Sequence, residues 1–214
     1  MPVPRLELLP YAKYLEPLAG PPAPQTDHDC VRVEDTELAD ADGSEARFME
    51  SAFARVTFTR GRFPRARFSE VWQHTVRWVS TDLAASRWTD ADWISCVLAG
   101  VALHGAELRD VTFHSCKLNS VNLRAARLHR VLFVGCLLRD VDLGEAALED
   151  VTFSGCTLEG VRLRGATLSS VDLRGSELGL EDGFESLRGA TITADQLAAL
   201  APEFARVLGV QVVD

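Results

Sequence analysis

VTFHSCKLNS (residues 111–120), VLFVGCLLRD (131–140) and VTFSGCTLEG (151–160) are three copies of one line. Cys96, Cys116, Cys136 and Cys156, four of the five cysteines, fall on a single 20-residue period, so the repeat has to be read before any cysteine is assigned chemistry. A shorter period lies inside it. Counting in fives from Phe48 gives Phe53, Phe58, Phe63, Phe68, Gln73, Trp78, Leu83, Trp88 and Trp93, then only Leu or Phe from Leu98 to Leu178. Of these 27 centres Gln73 alone is polar. The residue two before each centre is Ala, Val, Cys, Ser, Thr or Gly throughout 46–176. A helix requires apolar spacings of three and four, and a flat strand requires simple alternation, so two constrained columns repeating every five residues are neither. The frame extends back through Leu38 and Val33 and fails at Gly43, which places the start of the coil near Val31.

This pattern resembles the pentapeptide repeat family, whose motif is roughly Ala-(Asp/Asn)-Leu-x-x, over about residues 31–180. The resemblance implies an all-β chain: a right-handed quadrilateral parallel β-helix with four pentapeptides, or 20 residues, in each coil. On that fold Cys96, Cys116, Cys136, Cys156 and Ser176 stack in one interior column. Val101, Val121, Val141 and Val161 form the next column, and Phe113, Phe133 and Phe153 form an aromatic ladder. Both inward columns are small or apolar, so the tube is expected to be filled rather than open. The early coils place Phe and Trp where later ones place Leu, so that end is either wider or relieved by small neighbours.

Stacked rungs about 4.8 Å apart would hold the sulfurs in a row, whereas zinc requires four ligands converging on one point, so the cysteines read as wall. A buried thiol in apolar surroundings also has little thiolate character. His74, His104, His114 and His129 each follow a centre and are expected to point outward on different sides. With no phosphate loop, no His-Glu-x-x-His and no serine beside a base, the expectation is a protein that is not an enzyme, with no catalytic residues, no cofactor and no metal. At 214 residues, 47% hydrophobic and 25% charged, the chain suits one soluble, cytoplasmic domain, without a signal peptide or membrane span. The net charge of −9 argues against direct nucleic-acid binding.

Surface neighbours are found by adding 20. Asp35 then meets Arg55, Asp40 meets Arg60, Glu45 meets Arg65, Asp110 meets Arg130 and Arg139 meets Glu159, each a pair of opposite sign. One side breaks the habit: Glu50, Glu70, Asp90 and Asp110 form a carboxylate column, and Arg47, Arg67 and Arg87 run parallel to it. Two readings remain open, a solvated face held by lateral attraction between the columns and a polarised face for a partner.

Outside the repeat, residues 1–30 read as an N-terminal cap or linker segment that covers the open end. Residues 181–214 read as a C-terminal capping or dimerisation segment. In it, Thr193 and Gln196 form a capping box, a helical stretch is split or kinked by Pro202, and a final VQVVD is expected to pair as a strand. In relatives an equivalent terminal element makes a homodimer. Two functions follow: a rigid, non-catalytic module for a protein partner that the sequence does not identify, or a DNA mimic directed at DNA gyrase or topoisomerase IV. Charge weighs against the second. Residues 31–180 hold 21 acidic and 18 basic residues, whereas duplex DNA matching a rod of about 36 Å carries roughly 20 charges.

Overall fold

The computed structural model describes residues 3–213, and it is a four-sided parallel β-helix. Every pairing in its sheets is parallel, and in the regular part the offset is 20 residues: Leu108↔Leu128, Phe113↔Phe133, Leu118↔Leu138, Asn122↔Asp142. One column of centres runs eight deep, through His28, Phe48, Phe68, Trp88, Leu108, Leu128, Leu148 and Leu168. From Ala41 to Ala166 both inward positions of each pentapeptide are buried, and one continuous core fills the tube from Val33 to Leu173. Phe113, Phe133 and Phe153 stack with centroids 4.8 Å apart and planes within 5°.

The square section comes from the corners. Every fifth residue from Gln25 to Gly175 has a positive φ, a left-handed bend that turns the chain onto the next side. Seven of these corners are glycine, which takes the bend without strain, but most carry side chains. The conformation costs those residues about 1–2 kcal/mol each. It is held because the corner N–H groups are tied to the next rung, as Asp40 N is to Thr59 O at 2.9 Å and Ser115 N to Val134 O at 2.8 Å.

Large centres in the early coils are relieved by small neighbours. Gly43, where the frame fails, lies against Phe63: a Cβ there would stand 2.5 Å from the Phe63 ring, and one on Gly61 2.9 Å. The missing side chain is therefore supplied from one coil further on. Gln73, the polar centre, is fully buried and accepts a hydrogen bond from Trp78 Nε1 at 2.9 Å, while Gln73 Nε2 and Trp93 Nε1 have no partner among the described residues.

Cys96, Cys116, Cys136 and Cys156 are buried and unpaired, as wall residues, but they also do polar work. Cys96 N donates to Cys116 Sγ, Cys116 N to Cys136 Sγ and Cys136 N to Cys156 Sγ, each at 3.4 Å, and Cys156 N donates to Ser176 Oγ at 3.0 Å. Each sulfur donates in turn to a carbonyl two residues back or one coil back, as Cys136 Sγ does to Phe113 O at 3.3 Å. The column thus satisfies backbone groups that lie inside an apolar tube, which is why Ser176 continues it. Sulfur hydrogen bonds along the row, led by Cys136, and then burial push the Cys116 and Cys156 thiols up. In a native-state thiol titration only Cys30, half-buried near the surface, is expected to be accessible, with the four column thiols protected; rapid labelling of all five without denaturant would place the column outside the core.

The ends differ from the sequence expectation. The coil begins well before Val31: strand Asp27–Asp29 pairs with Arg47–Met49 in the same 20-residue register, and Glu16–Pro17 pairs with Val31 and Arg32. The apolar count hid this, because the early inward positions are Thr26 and His28, joined at 2.8 Å, with the His28 ring stacked on Phe48 at 4.7 Å. Leu18 packs on the core and Pro22 is buried near Gly43, so the stretch around them covers the first coil. Residues 3–15 do not cap the end. They lie along the flank as two short 3₁₀ helices, Leu6–Leu8 and Ala12–Tyr14, with Leu6, Leu9 and Leu15 on the outer face.

At the other end the coil persists past 180, since Ala190–Thr191 pairs with Val171–Asp172 and Leu187 and Ile192 pack on the core. The helix Ala194–Leu208 then follows behind the capping box of Thr193 and Gln196. Pro202 neither splits nor ends it. Residues 210–213 are exposed and form no strand. Among the described residues no helix is long and apolar enough to cross a membrane.

Candidate interaction face

Glu50, Glu70, Asp90 and Asp110 occupy one edge of the tube as successive left-handed corners, with φ of 46°, 54°, 52° and 55°. Their backbone is fixed by rung bonds, Glu50 N to Ser69 O at 3.0 Å and Glu70 N to Thr89 O at 2.9 Å, so the carboxylates project from a rigid frame. Arg47, Arg67 and Arg87 are in register on the adjoining flat side, flanking the buried centres Phe48, Phe68 and Trp88. The structure therefore places both columns where the frame puts them.

It does not join them. Arg47 reaches Asp27 at 3.8 Å, Arg87 reaches Glu107 at 2.8 Å, and Glu107 is shared with Arg127 at 3.2 Å. Among the described residues no salt bridge links Arg47, Arg67 or Arg87 to Glu50, Glu70 or Asp90, and none is made by Arg67, Glu70 or Asp90 at all. Arginines here pair along the tube axis, where the next rung lies within reach, rather than around the corner. No ion pair joins the two columns among the described residues.

Asp110 leaves the row as well. Arg130 grips it with two hydrogen bonds of 2.6 Å, and that contact holds its carboxyl below the usual range. Paired columns elsewhere follow the same rule: Asp35 with Arg55 at 2.6 Å, Asp40 with Arg60 at 2.7 Å, Glu45 with Arg65 at 2.5 Å, Arg139 with Glu159 at 2.7 Å. The uncompensated edge is thus Glu50, Glu70 and Asp90.

Counting in twenties also places Cys30 below Glu50, and the thiol donates to Glu50 Oε2 at 3.4 Å. Desolvation and then this bond push it up to about 11, so it is a thiol at neutral pH. Asp29, Cys30 and Glu50 bring three donor atoms within 4.8 Å of one another, as do His129, Glu149 and Asp150. Both groups are open to solvent and neither has a fourth ligand in the set. His114 follows the inward centre Phe113, yet it is only 4% exposed, and it lies near Asp92, whose carboxyl is pushed up by burial. Tyr11, buried beside the acidic edge, was beyond the reach of the periodic frame because it lies outside the repeat.

A family model described as "Pentapeptide repeat region" matches residues 86–163 and again 106–180. Among solved structures, the chain is similar to trypsin-treated QnrB1, a plasmid-mediated fluoroquinolone resistance protein. The identity is 21% and the TM-score 0.43, over 86% of this chain and 92% of that one. It is also similar to HetL, a pentapeptide repeat protein involved in heterocyst differentiation regulation from the cyanobacterium Nostoc (20% identity, TM-score 0.27, 78% and 90% covered). Rfr23 from the cyanobacterium Cyanothece gives 16% identity and a TM-score of 0.37, with 70% and 90% covered. No curated protein sequence matches. The matched residues are those in which the five-residue frame is most regular and builds the coils just described, and over 86–180 the chain is a pentapeptide repeat region.

Proposed function

We propose that the chain is a rigid, non-catalytic interaction module that presents Glu50, Glu70 and Asp90, beside Arg47, Arg67 and Arg87, to a protein partner. One observation carries this reading: where opposite charges stack elsewhere on the tube many pair rung to rung, while this edge stacks three carboxylates directly and none of them makes a salt bridge among the described residues. Like charges stacked directly are unfavourable, and a scaffold already fixed by its rungs loses little entropy when it binds. A partner with a basic groove beside an acidic strip fits both columns.

The test compares immobilised wild-type chain with the Glu70→Lys/Asp90→Lys chain for what each retains from lysate at low and high salt. Retention by the wild type should be salt-sensitive and lost on reversal. It should survive Asp40→Lys, which alters a self-paired site on another side. Equal retention by the reversed chain would return the edge to a solvated surface.

The same edge is what a duplex mimic directed at DNA gyrase or topoisomerase IV would present, and its charge favours the general module. Three free carboxylates stand where DNA of equal length carries roughly 20 charges. Gyrase supercoiling is therefore expected to be unchanged by the purified protein; inhibition that depends on Glu70 and Asp90 would favour the mimic. Self-association is the second contact we propose, through the C-terminal helix, because Leu197, Val207 and Leu208 are 51%, 43% and 77% exposed on it.

A further inference from the structure

Strand alternation turns Phe53, Gln73 and Trp93 into the tube and their neighbours outward. Four of the six outward neighbours on this side are apolar, Ala52, Ala54, Trp72 and Ile94, and form a second hydrophobic cluster, separate from the core and on the exterior, with His74 and Asp92 beside them. Residues 3–15 cover it. Leu6, Leu9 and Leu15 pack on the patch, Tyr11 is 5% exposed, and Trp72 Nε1 donates to Pro4 O at 3.1 Å.

Their attachment differs in kind from the rest of the molecule. Among the described residues, the backbone hydrogen bonds of 3–15 close within the segment, as from Leu8 N to Arg5 O and from Leu15 N to Ala12 O. Pairing to the tube begins at Glu16 N, which donates to Cys30 O at 2.9 Å. The segment can leave without breaking a rung, and its departure would expose an apolar patch of the kind that marks interaction sites.

The rim of that patch is acidic on the side of Tyr11, whereas on the other side Arg32 and Arg55 are paired with Glu34. Burial pushes the Tyr11 phenol up, and the neighbouring charges of Asp92, Glu70 and Glu50 add to it. The resident segment thus sets an uncharged hydroxyl where a cation would be attracted by three carboxylates. We propose that this flank is a docking surface for a partner segment carrying leucines and a Lys or Arg, and that residues 3–15 are the resident occupant which such a segment displaces. Leucine anchors fill the patch around Trp72, and the cation takes the place of Tyr11. The proposal shares Glu50 and Glu70 with the edge proposed above, but its apolar contacts centre on Trp72 and need no partner at the arginine columns.

The test uses the full chain with Tyr11→Asp, in which a fourth carboxylate expels the resident segment. The probe is a labelled peptide of residues 3–15 carrying Tyr11→Arg, followed by fluorescence anisotropy. The Tyr11→Asp chain should bind it at least about tenfold more tightly than the wild type, whose flank is occupied. The unaltered peptide should bind more weakly than the Arg form, and adding Trp72→Ala to the chain should remove binding. Absence of binding by a Tyr11→Asp chain with unchanged circular dichroism would overturn the proposal, as would binding indifferent to Trp72→Ala. Hydrogen exchange on the unaltered chain tests release directly. Amides of 6–15 should exchange much faster than those of Val111–Phe113, and equally slow exchange would show that the segment does not leave.

Discussion

Phe133→Ala lowers the unfolding free energy by about 3–5 kcal/mol, the range for emptying a buried aromatic site. Phe133 is 1% exposed and stacked on both faces, against Phe113 and Phe153 at 4.8 Å, so its removal breaks the ladder at the middle of the tube. Neighbours cannot collapse into the space, because each is held at its rung by backbone hydrogen bonds to the coils on either side. Against a total stability of about 5–15 kcal/mol this is a large fraction, readable as a shifted midpoint in chemical denaturation. Arg67→Ala, which removes an exposed side chain with no ion pair among the described residues, should change stability by no more than about 0.5 kcal/mol. Similar losses in the two variants would mean that the inward and outward positions are misassigned.

Removing residues 193–214 converts a discrete species into larger, heterogeneous ones in sedimentation. Gln196 is the reason to expect a strong effect: its Nε2 donates to Leu173 O and Ser176 O, both at 2.7 Å, supplying to the last full coil donors that another rung would otherwise provide. The same side chain closes the capping box, with Oε1 accepting from Thr193 N at 2.8 Å. Leu200 is buried, and Phe204 lies edge-on to Phe184 at 6.4 Å, so the helix also covers the apolar end. Without it the chain presents an unpaired edge over an open core, which is a template for association. The intact chain should show a concentration-dependent monomer–dimer equilibrium through Leu197, Val207 and Leu208, abolished by charged substitutions there. A truncated chain that kept the mass and solubility of the intact one would remove both roles from the helix.

Much of the molecule was legible by addition. In a coil of constant length the neighbour of residue n is n plus 20, so the interior columns, the Phe113–Phe133–Phe153 ladder and ion pairs such as Asp35–Arg55 and Asp40–Arg60 follow from the sequence without coordinates. Glycine's frequency at residues numbered in fives was a usable signal for the left-handed corners, and Ser176 in the cysteine frame was an unused signal for a column that hydrogen-bonds, where the sequence alone reads only as wall. Of the candidate face, the sequence located both charged columns.

What the period could not convey is any contact that does not repeat. Whether Arg87 turns to Glu107 or to Asp90 depends on reach along the axis against reach around a corner, and that decided which carboxylates stay free. Gln73 accepting from Trp78, and Phe63 filling the gap at Gly43, are lateral arrangements within the crowded early coils. The placement of residues 3–15 on Ala52, Ala54, Trp72 and Ile94 joins segments far apart in the chain, with no backbone pairing to announce it. The sequence by itself determined the coil, because a covalent repeat fixes every neighbour one rung away. The tertiary structure alone decided the ends, the covered flank and the charges left without a partner, because those depend on where single side chains meet and not on a period.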